Sequence, residues 1–186
     1  MKIKDNISKA EQEFPRLFSC YEECSYGTLF YNTKIKDHHD SNHAILYTSE
    51  IKDLNAVLVD IRDFYQSKEI VPTIYHPITE NYFIENAKTL KSNGYEFMTS
   101  PDSRIMLLKN TNSKPMTNLL NIKRITDINM INDGSFFIEH DQYLTEIYRN
   151  CINKSNHYLF VGYYENKPVT LLSFHISNTV VHGLMK

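Results

Sequence analysis

A chain of 186 residues with 41% apolar side chains can bury one large core or two small ones, and its 23% charged residues are ordinary for a water-exposed surface. A net charge of −2 argues against a surface built for nucleic acid or acidic membranes. The opening stretch MKIKDNISKAEQEF has no apolar leader core, and no run approaches the roughly 20 residues that span a bilayer; a cytoplasmic protein is expected.

In chain order, Ile7, Ala10, Phe14, Leu17, Phe18 and Tyr21 form a helical stripe. Pro15 interrupts it, which predicts one helix to about Phe14 and a second from about Pro15 to Glu23. YGTLFYN (Tyr26–Asn32) and HAILYTS (His43–Ser49) are predicted strands around a polar connection. Ile51, Leu54, Val57, Leu58, Ile61, Phe64 and Tyr65 share one helical face. IVPTIYHP predicts a short buried strand, and TENYFIENAKTLKSNGYE a helix ending at a C′ glycine, Gly94. YEFMTS and RIMLLKN predict a closing strand pair.

KNTNSKPMTN, polar and with a proline, is the best boundary. The expected organisation is a first unit at 1–110, a linker at 111–118 and a second unit at 119–186. In the second unit NIKRITD predicts a strand and Ile128–Asn132 a short helix. The apolar face of Phe137, Leu144, Ile147, Tyr148 and Cys151 predicts another helix. Two strands with a turn at Asn166–Lys167 follow, and then a third, TVVHGLMK. The fold class expected is α+β with mixed sheets.

Cys20, Cys24 and Cys151 are too few and too oddly numbered for a disulfide framework. Cys20 and Cys24, spaced i, i+4 on the predicted helix, are expected to be buried thiols rather than a metal pair. DHHDSNH (Asp37–His43) carries three histidines and two aspartates, yet its spacing fits no metal loop. A solvated connection is the preferred reading, no metal is expected, and a metal enzyme on His38, His39 and His43 is the minor alternative. Tyr65, Tyr75, Tyr163 and Tyr164 are either cleft-lining or ordinary core tyrosines.

The order strand, two helices and three-strand meander from Asn121 to Lys186 resembles the opening half of the GNAT N-acetyltransferase superfamily. LFVGYYENKPVTLLSFHIS resembles the strand pair bearing that family's x-V-x-x-x-[DEN]-[GN]-x-x-V pattern, with Val161, Glu165, Asn166 and Val169 matching. TVVHGLMK looks like its fourth strand. There the family continues into the loop V-x-x-x-x-R-G-x-G, and this sequence stops about where that loop would begin. ENAKTLKSNGYE is similar to a later helix-to-strand segment of the family, through Asn86, Ala87, Gly94 and Tyr95. The resemblance implies a GNAT-like (acyl-CoA N-acyltransferase) fold of tandem type, with a degenerate first domain and a partial second.

It also implies acetyl-CoA as cofactor and acetyl transfer to a primary amine, the acceptor being left open between small molecule and protein. By the resemblance His182 stands near the general-base position, with a suitable ordinary pKa. The backbone of Leu184, Met185 and Lys186 would pair with the pantetheine arm. Asn42, with Ala44 beside it, resembles an acceptor-side loop, and Tyr163 is the other substrate candidate. The family's loop cradles the coenzyme A pyrophosphate on N–H groups at a helix N-terminus. The equivalent turn in the first unit, TSEIKD, has neither glycine nor arginine, and Glu50 and Asp53 would repel a pyrophosphate. Weak or no acetyl-CoA binding is therefore expected; the alternative function is a non-catalytic protein of this fold that binds a ligand or partner. Because TVVHGLMK is an unguarded apolar strand, homo-oligomers through residues 168–186 are expected.

Overall fold

The computed structural model describes residues 3–75, 81–98, 119–127, 129–130, 142–177 and 180–185, with the backbone alone at 3–5, 142–144, 146 and 180–185. The chain forms an α+β fold with two four-stranded sheets.

Sheet A has the order β1 (Cys20–Cys24), β2 (Gly27–Tyr31), β3 (His43–Leu46), β4 (Ile74–Tyr75). The first three strands form an antiparallel meander. Helix α2 (Leu54–Gln66) then carries the chain back across the sheet, so β4 pairs parallel to β3 through Ala44↔Ile74 and Ile45↔Tyr75. The apolar spacing of α2 does what its period predicts. Val57, Leu58, Ile61 and Tyr65 are buried on one face against Leu29, Ala44 and Leu46. Each such side chain contributes roughly 1.5–3 kcal/mol of burial. Tyr65 is fully buried, and its hydroxyl donates to the Phe30 carbonyl at 2.9 Å.

The predicted helix 81–94 is split into α3 (Tyr82–Glu85) and α4 (Ala87–Ser92). Gly94 closes α4 at φ +83°. The amide of Tyr95 donates to the Leu90 carbonyl at 3.1 Å, and that of Gly94 to Lys91 at 3.0 Å, a Schellman closure. Tyr95–Met98 carry no regular structure, which corrects the strand expected there. The rest of the expected closing pair and the linker 111–118 lie outside the described residues.

Helix α1 (Ile3–Glu13) ends before Pro15, which opens a 3-10 turn over Phe14–Leu17. The helix expected from Pro15 to Glu23 is corrected to β1: Cys20–Cys24 pairs with β2 in register Tyr21↔Phe30 and Glu23↔Thr28. Cross-strand partners decided between two periods that this short polar segment satisfies equally. Cys20 and Cys24 therefore lie on a strand, Cys20 exposed and Cys24 half-buried, while Cys151 alone is a buried thiol.

Sheet B is antiparallel throughout, in the order β5 (Asn121–Ile125), β6 (His157–Tyr164), β7 (Lys167–Ser177), β8 (Val180–Met185). Asn129 and Met130 are helical, and α5 (Gln142–Cys151) precedes β6. The β6–β7 turn is centred on Glu165 and Asn166, φ 48° and 63°, one residue before the expected Asn166–Lys167. Two positive φ angles are what a two-residue type I′ hairpin demands. Val161, Leu159 and Leu171 pack on Tyr148 of α5.

The first residues of the chain do not keep to sheet A. Helix α1 packs against β7 and β8, and Phe14, Leu17 and Phe18 cluster with Ile147 and Cys151 of α5. The Ser177 hydroxyl donates to the Glu13 carboxylate. The stretch expected to belong wholly to the first unit thus covers part of the second. No helix among the described residues is long and apolar enough to cross a membrane.

Candidate functional site

Three places hold side chains with chemistry: the start of α2, the loop before β3, and the covered face of sheet B.

A helix that follows a strand at a crossover presents free N–H groups and a positive dipole end at the sheet's edge. At α2 those groups are taken. Asp53 is the N-cap, its Oδ1 accepting from the amides of Asn55 at 3.0 Å and Ala56 at 3.3 Å. Glu50 ends the 3-10 turn just before it. The carboxylate satisfies the donors that an anionic ligand would need, and its charge opposes a second anion.

The loop leading to β3 is built around Asn42, which is 1% exposed. Its Oδ1 accepts from the Asn32 amide at 2.7 Å, and its Nδ2 donates to the carbonyls of Ile35 at 2.8 Å and His38 at 2.9 Å. The carboxamide expected at a substrate is thus spent inside the protein. Ser41, also buried, is tied through its carbonyl to the Ser19 hydroxyl at 2.9 Å, and its own hydroxyl lies 3.0 Å from His38 Nδ1. His43 lies flat under Tyr75, ring centroids 3.9 Å apart, with Nδ1 3.2 Å from the His39 carbonyl. The Tyr75 hydroxyl donates to Asp40.

Burial brings the His43 imidazole down to about 4, against the opposing pull of the His39 carbonyl and Asp40. Burial, then the hydrogen bond to Asp40, pushes the Tyr75 hydroxyl up. The loop therefore holds a neutral, shielded histidine, which is unsuited to proton transfer with solvent at neutral pH. His38 and His39 stack on each other, and among the described residues no three His, Cys, Asp or Glu side chains converge as metal donors.

On sheet B the register sets His157 opposite His175, and His175 opposite His182. His157 and His175 are 3% and 1% exposed, on the face that α1 and α5 cover. Phe14 packs on His175 with centroids 6.0 Å apart. Burial, then neighbouring His175, holds the His157 imidazole down to about 4. His182, expected as a general base, therefore shares its row with two covered imidazoles. His157 and His175 were not singled out by the sequence; the signal was their position on the predicted hairpin, but its register depends on a bulge.

Of the other expected residues, Leu184 and Met185 pair with Ser173 and Leu172 on β7, while Lys186 lies outside the described residues. Tyr163 is half-buried beside the Leu159–Val161 cluster, with the Lys123 ammonium 4.7 Å over its ring. Asn42 closes the loop before β3 of sheet A, whereas Tyr163 lies on β6 of sheet B. Of the remaining tyrosines, Tyr65 is core, Tyr75 covers His43 and Tyr164 is exposed.

No protein-family model matches the chain, and no curated protein does. Among solved structures it is similar to "a functionally unknown conserved protein from Staphylococcus epidermidis ATCC 12228", with TM-score 0.58 and 14% identity over 95% of this chain and 74% of that one. At that identity the likeness concerns the fold alone, an α+β architecture.

Proposed function

We propose that this chain is a tandem protein of the GNAT N-acetyltransferase type whose first unit keeps the fold without holding acetyl-CoA. One observation carries the reading. An antiparallel meander, a crossover helix and a parallel strand follow each other as β1–β2–β3–α2–β4, and the helix N-terminus at that crossover is filled by Asp53. In the superfamily this N-terminus receives the coenzyme A pyrophosphate; here two backbone amides already bond a carboxylate. By the same resemblance acetyl transfer to a primary amine would fall to the second unit, impaired in this chain by weak or no acetyl-CoA binding; the order β5–α5–β6–β7–β8 supports that resemblance.

The test is hydrogen exchange with and without acetyl-CoA, beside an acetylation assay on a panel of primary amines. No protection is expected at residues 47–57, whereas slowed exchange there would overturn the reading of the first unit. Acetylation of none of the amines would favour the second reading, a non-catalytic binding protein of this fold. That alternative draws support from the covered histidines beside His182.

Association belongs to the same proposal. Among the described residues β8 has no neighbour on its outer edge, and Val169 and Ile176 of β7 are exposed. Light scattering is expected to give at least twice the 21.9 kDa of one chain; a mass of one chain would refute it.

A further inference from the structure

We propose that α1 and the 3-10 turn after it form an acid-released strap, held on sheet B over the His157–His175 pair and let go when that pair takes up a proton. The inference is independent of the acetyltransferase reading. The strap has a firm end and a weak end. At sheet A, the Ser19 hydroxyl donates to the Ser41 carbonyl at 2.9 Å, and Asn32 Nδ2 donates to the Phe18 carbonyl at 3.3 Å. At sheet B, α1 lies on β7 and β8, while Phe14, Leu17 and Phe18 pack on Ile147 and Cys151. Of the described side chains of α1 only Ala10 is buried. An 11-residue helix is marginal without its packing, so α1 belongs to the part of the fold that opens first.

The weak end rests on imidazoles. Phe14 packs on His175 with ring centroids 6.0 Å apart, and the register sets His175 opposite His157. The two are 1% and 3% exposed. Among the described residues neither ring nitrogen of His157 has a hydrogen-bond partner in the protein. A proton added there is a buried charge with nothing to receive its bonds, and uncovering the pair gives it water.

The surrounding groups do not offset that charge. His157 faces His175, a second base, and β8 places His182 opposite His175. From α1 comes Glu13, bonded to Ser177 two residues beyond His175, with the Lys9 ammonium 3.9 Å from it. Glu13 is thus already shared between a hydroxyl and a cation, while Glu11 acts on Tyr75 of sheet A. From α5 come Tyr148 and the Cys151 thiol, with Lys154 beyond; Arg149 is exposed. Covered, His157 is held down to about 4; uncovered, it returns to its ordinary 6.5. Between those values the released state binds more protons, so each unit of acidification favours release by up to about tenfold.

Cys151, fully buried under the strap, reports its release. The experiment labels full-length Cys20→Ser/Cys24→Ser protein with 4,4′-dithiodipyridine, each rate divided by that of glutathione at the same pH. The ratio should be level from pH 8 to 7 and rise about tenfold per unit from pH 6.5 to 5. Hydrogen exchange should show α1 losing protection over that range ahead of α2. His157→Phe should remove the rise, with circular dichroism checking its fold. Phe14→Ala, on the half-buried turn, serves where that variant does not fold, and should label at least about tenfold faster at pH 7.5. A ratio that stays level from pH 7 to 5, or α1 and α2 losing protection together, would overturn the proposal. So would an unchanged rise in folded His157→Phe, or parent-like labelling of Phe14→Ala.

Discussion

Acidification from pH 6.5 to pH 4 should remove several kcal/mol of stability, up to about 3 kcal/mol from each of two buried histidines. Both His43 and His157 are held at about 4 in the folded chain, against 6.5 ordinarily. Between those values the unfolded chain binds more protons than the folded one, so stability falls as the pH falls. Above pH 6.5 both states carry neutral imidazoles, and below pH 4 both carry charged ones, so the slope vanishes outside the window. The groups around each histidine decide how deep the effect runs. His43 faces the His39 carbonyl, with Asp40 bonded to the Tyr75 hydroxyl above it. His157 faces His175 on β7, with Glu13 of α1 held at Ser177 further along and Cys151 at the end of α5.

A loss of this size is comparable to the whole stability of many domains, about 5–15 kcal/mol. Urea midpoints measured at half-unit steps of pH would trace it, and His43→Phe or His157→Phe should each remove about half of the dependence. A midpoint that stays level from pH 7 to pH 5 would show that the two imidazoles are not shielded as the structure has them.

Asn42→Ala is expected to cost about 2–4 kcal/mol and to lower the melting temperature by roughly 5–15 °C. Its side chain bonds the Asn32 amide and the carbonyls of Ile35 and His38, inside a loop that leads directly into His43 and β3. Alanine leaves these groups without their partner in a buried setting, where each unsatisfied group costs about 1–3 kcal/mol, reduced wherever water enters. Asn42→Asp is a sharper version, since it keeps the acceptor for Asn32 but removes the bonds donated to the carbonyls of Ile35, Lys36 and His38. Thermal unfolding followed by circular dichroism reads the change. A variant within about 0.5 kcal/mol of the parent would reopen a substrate role for Asn42.

The parts of the fold that were legible in the sequence are those whose signal is local. The 3.6-residue spacing from Leu54 to Tyr65 defines α2, because its apolar face must be buried whatever it packs against. Gly94 marks the end of α4, because the αL conformation there favours glycine. Asp53, readable as a carboxylate at the start of a helix, is its N-cap, and that chemistry needs only the next three residues.

What the sequence left open depends on residues far apart in the chain. Cys20–Cys24 fits a helix or a strand; pairing with Gly27–Tyr31 makes it β1. The parallel β3–β4 pair arises only once α2 has crossed the sheet. The histidine row rests on a single irregularity. From the turn, Tyr164 pairs with Lys167 and Tyr163 with Pro168, but Gly162 pairs with Thr170, so Val169 is the extra residue of a bulge. Without that bulge, the count from the turn would set Phe174 opposite His157 and leave His175 on the other face. A side-chain period of two makes one residue enough to exchange the faces. Packing beneath α1 and α5 selects the register that buries both histidines, a choice that no local pattern in HYLFVGYY or KPVTLLSFHIS expresses.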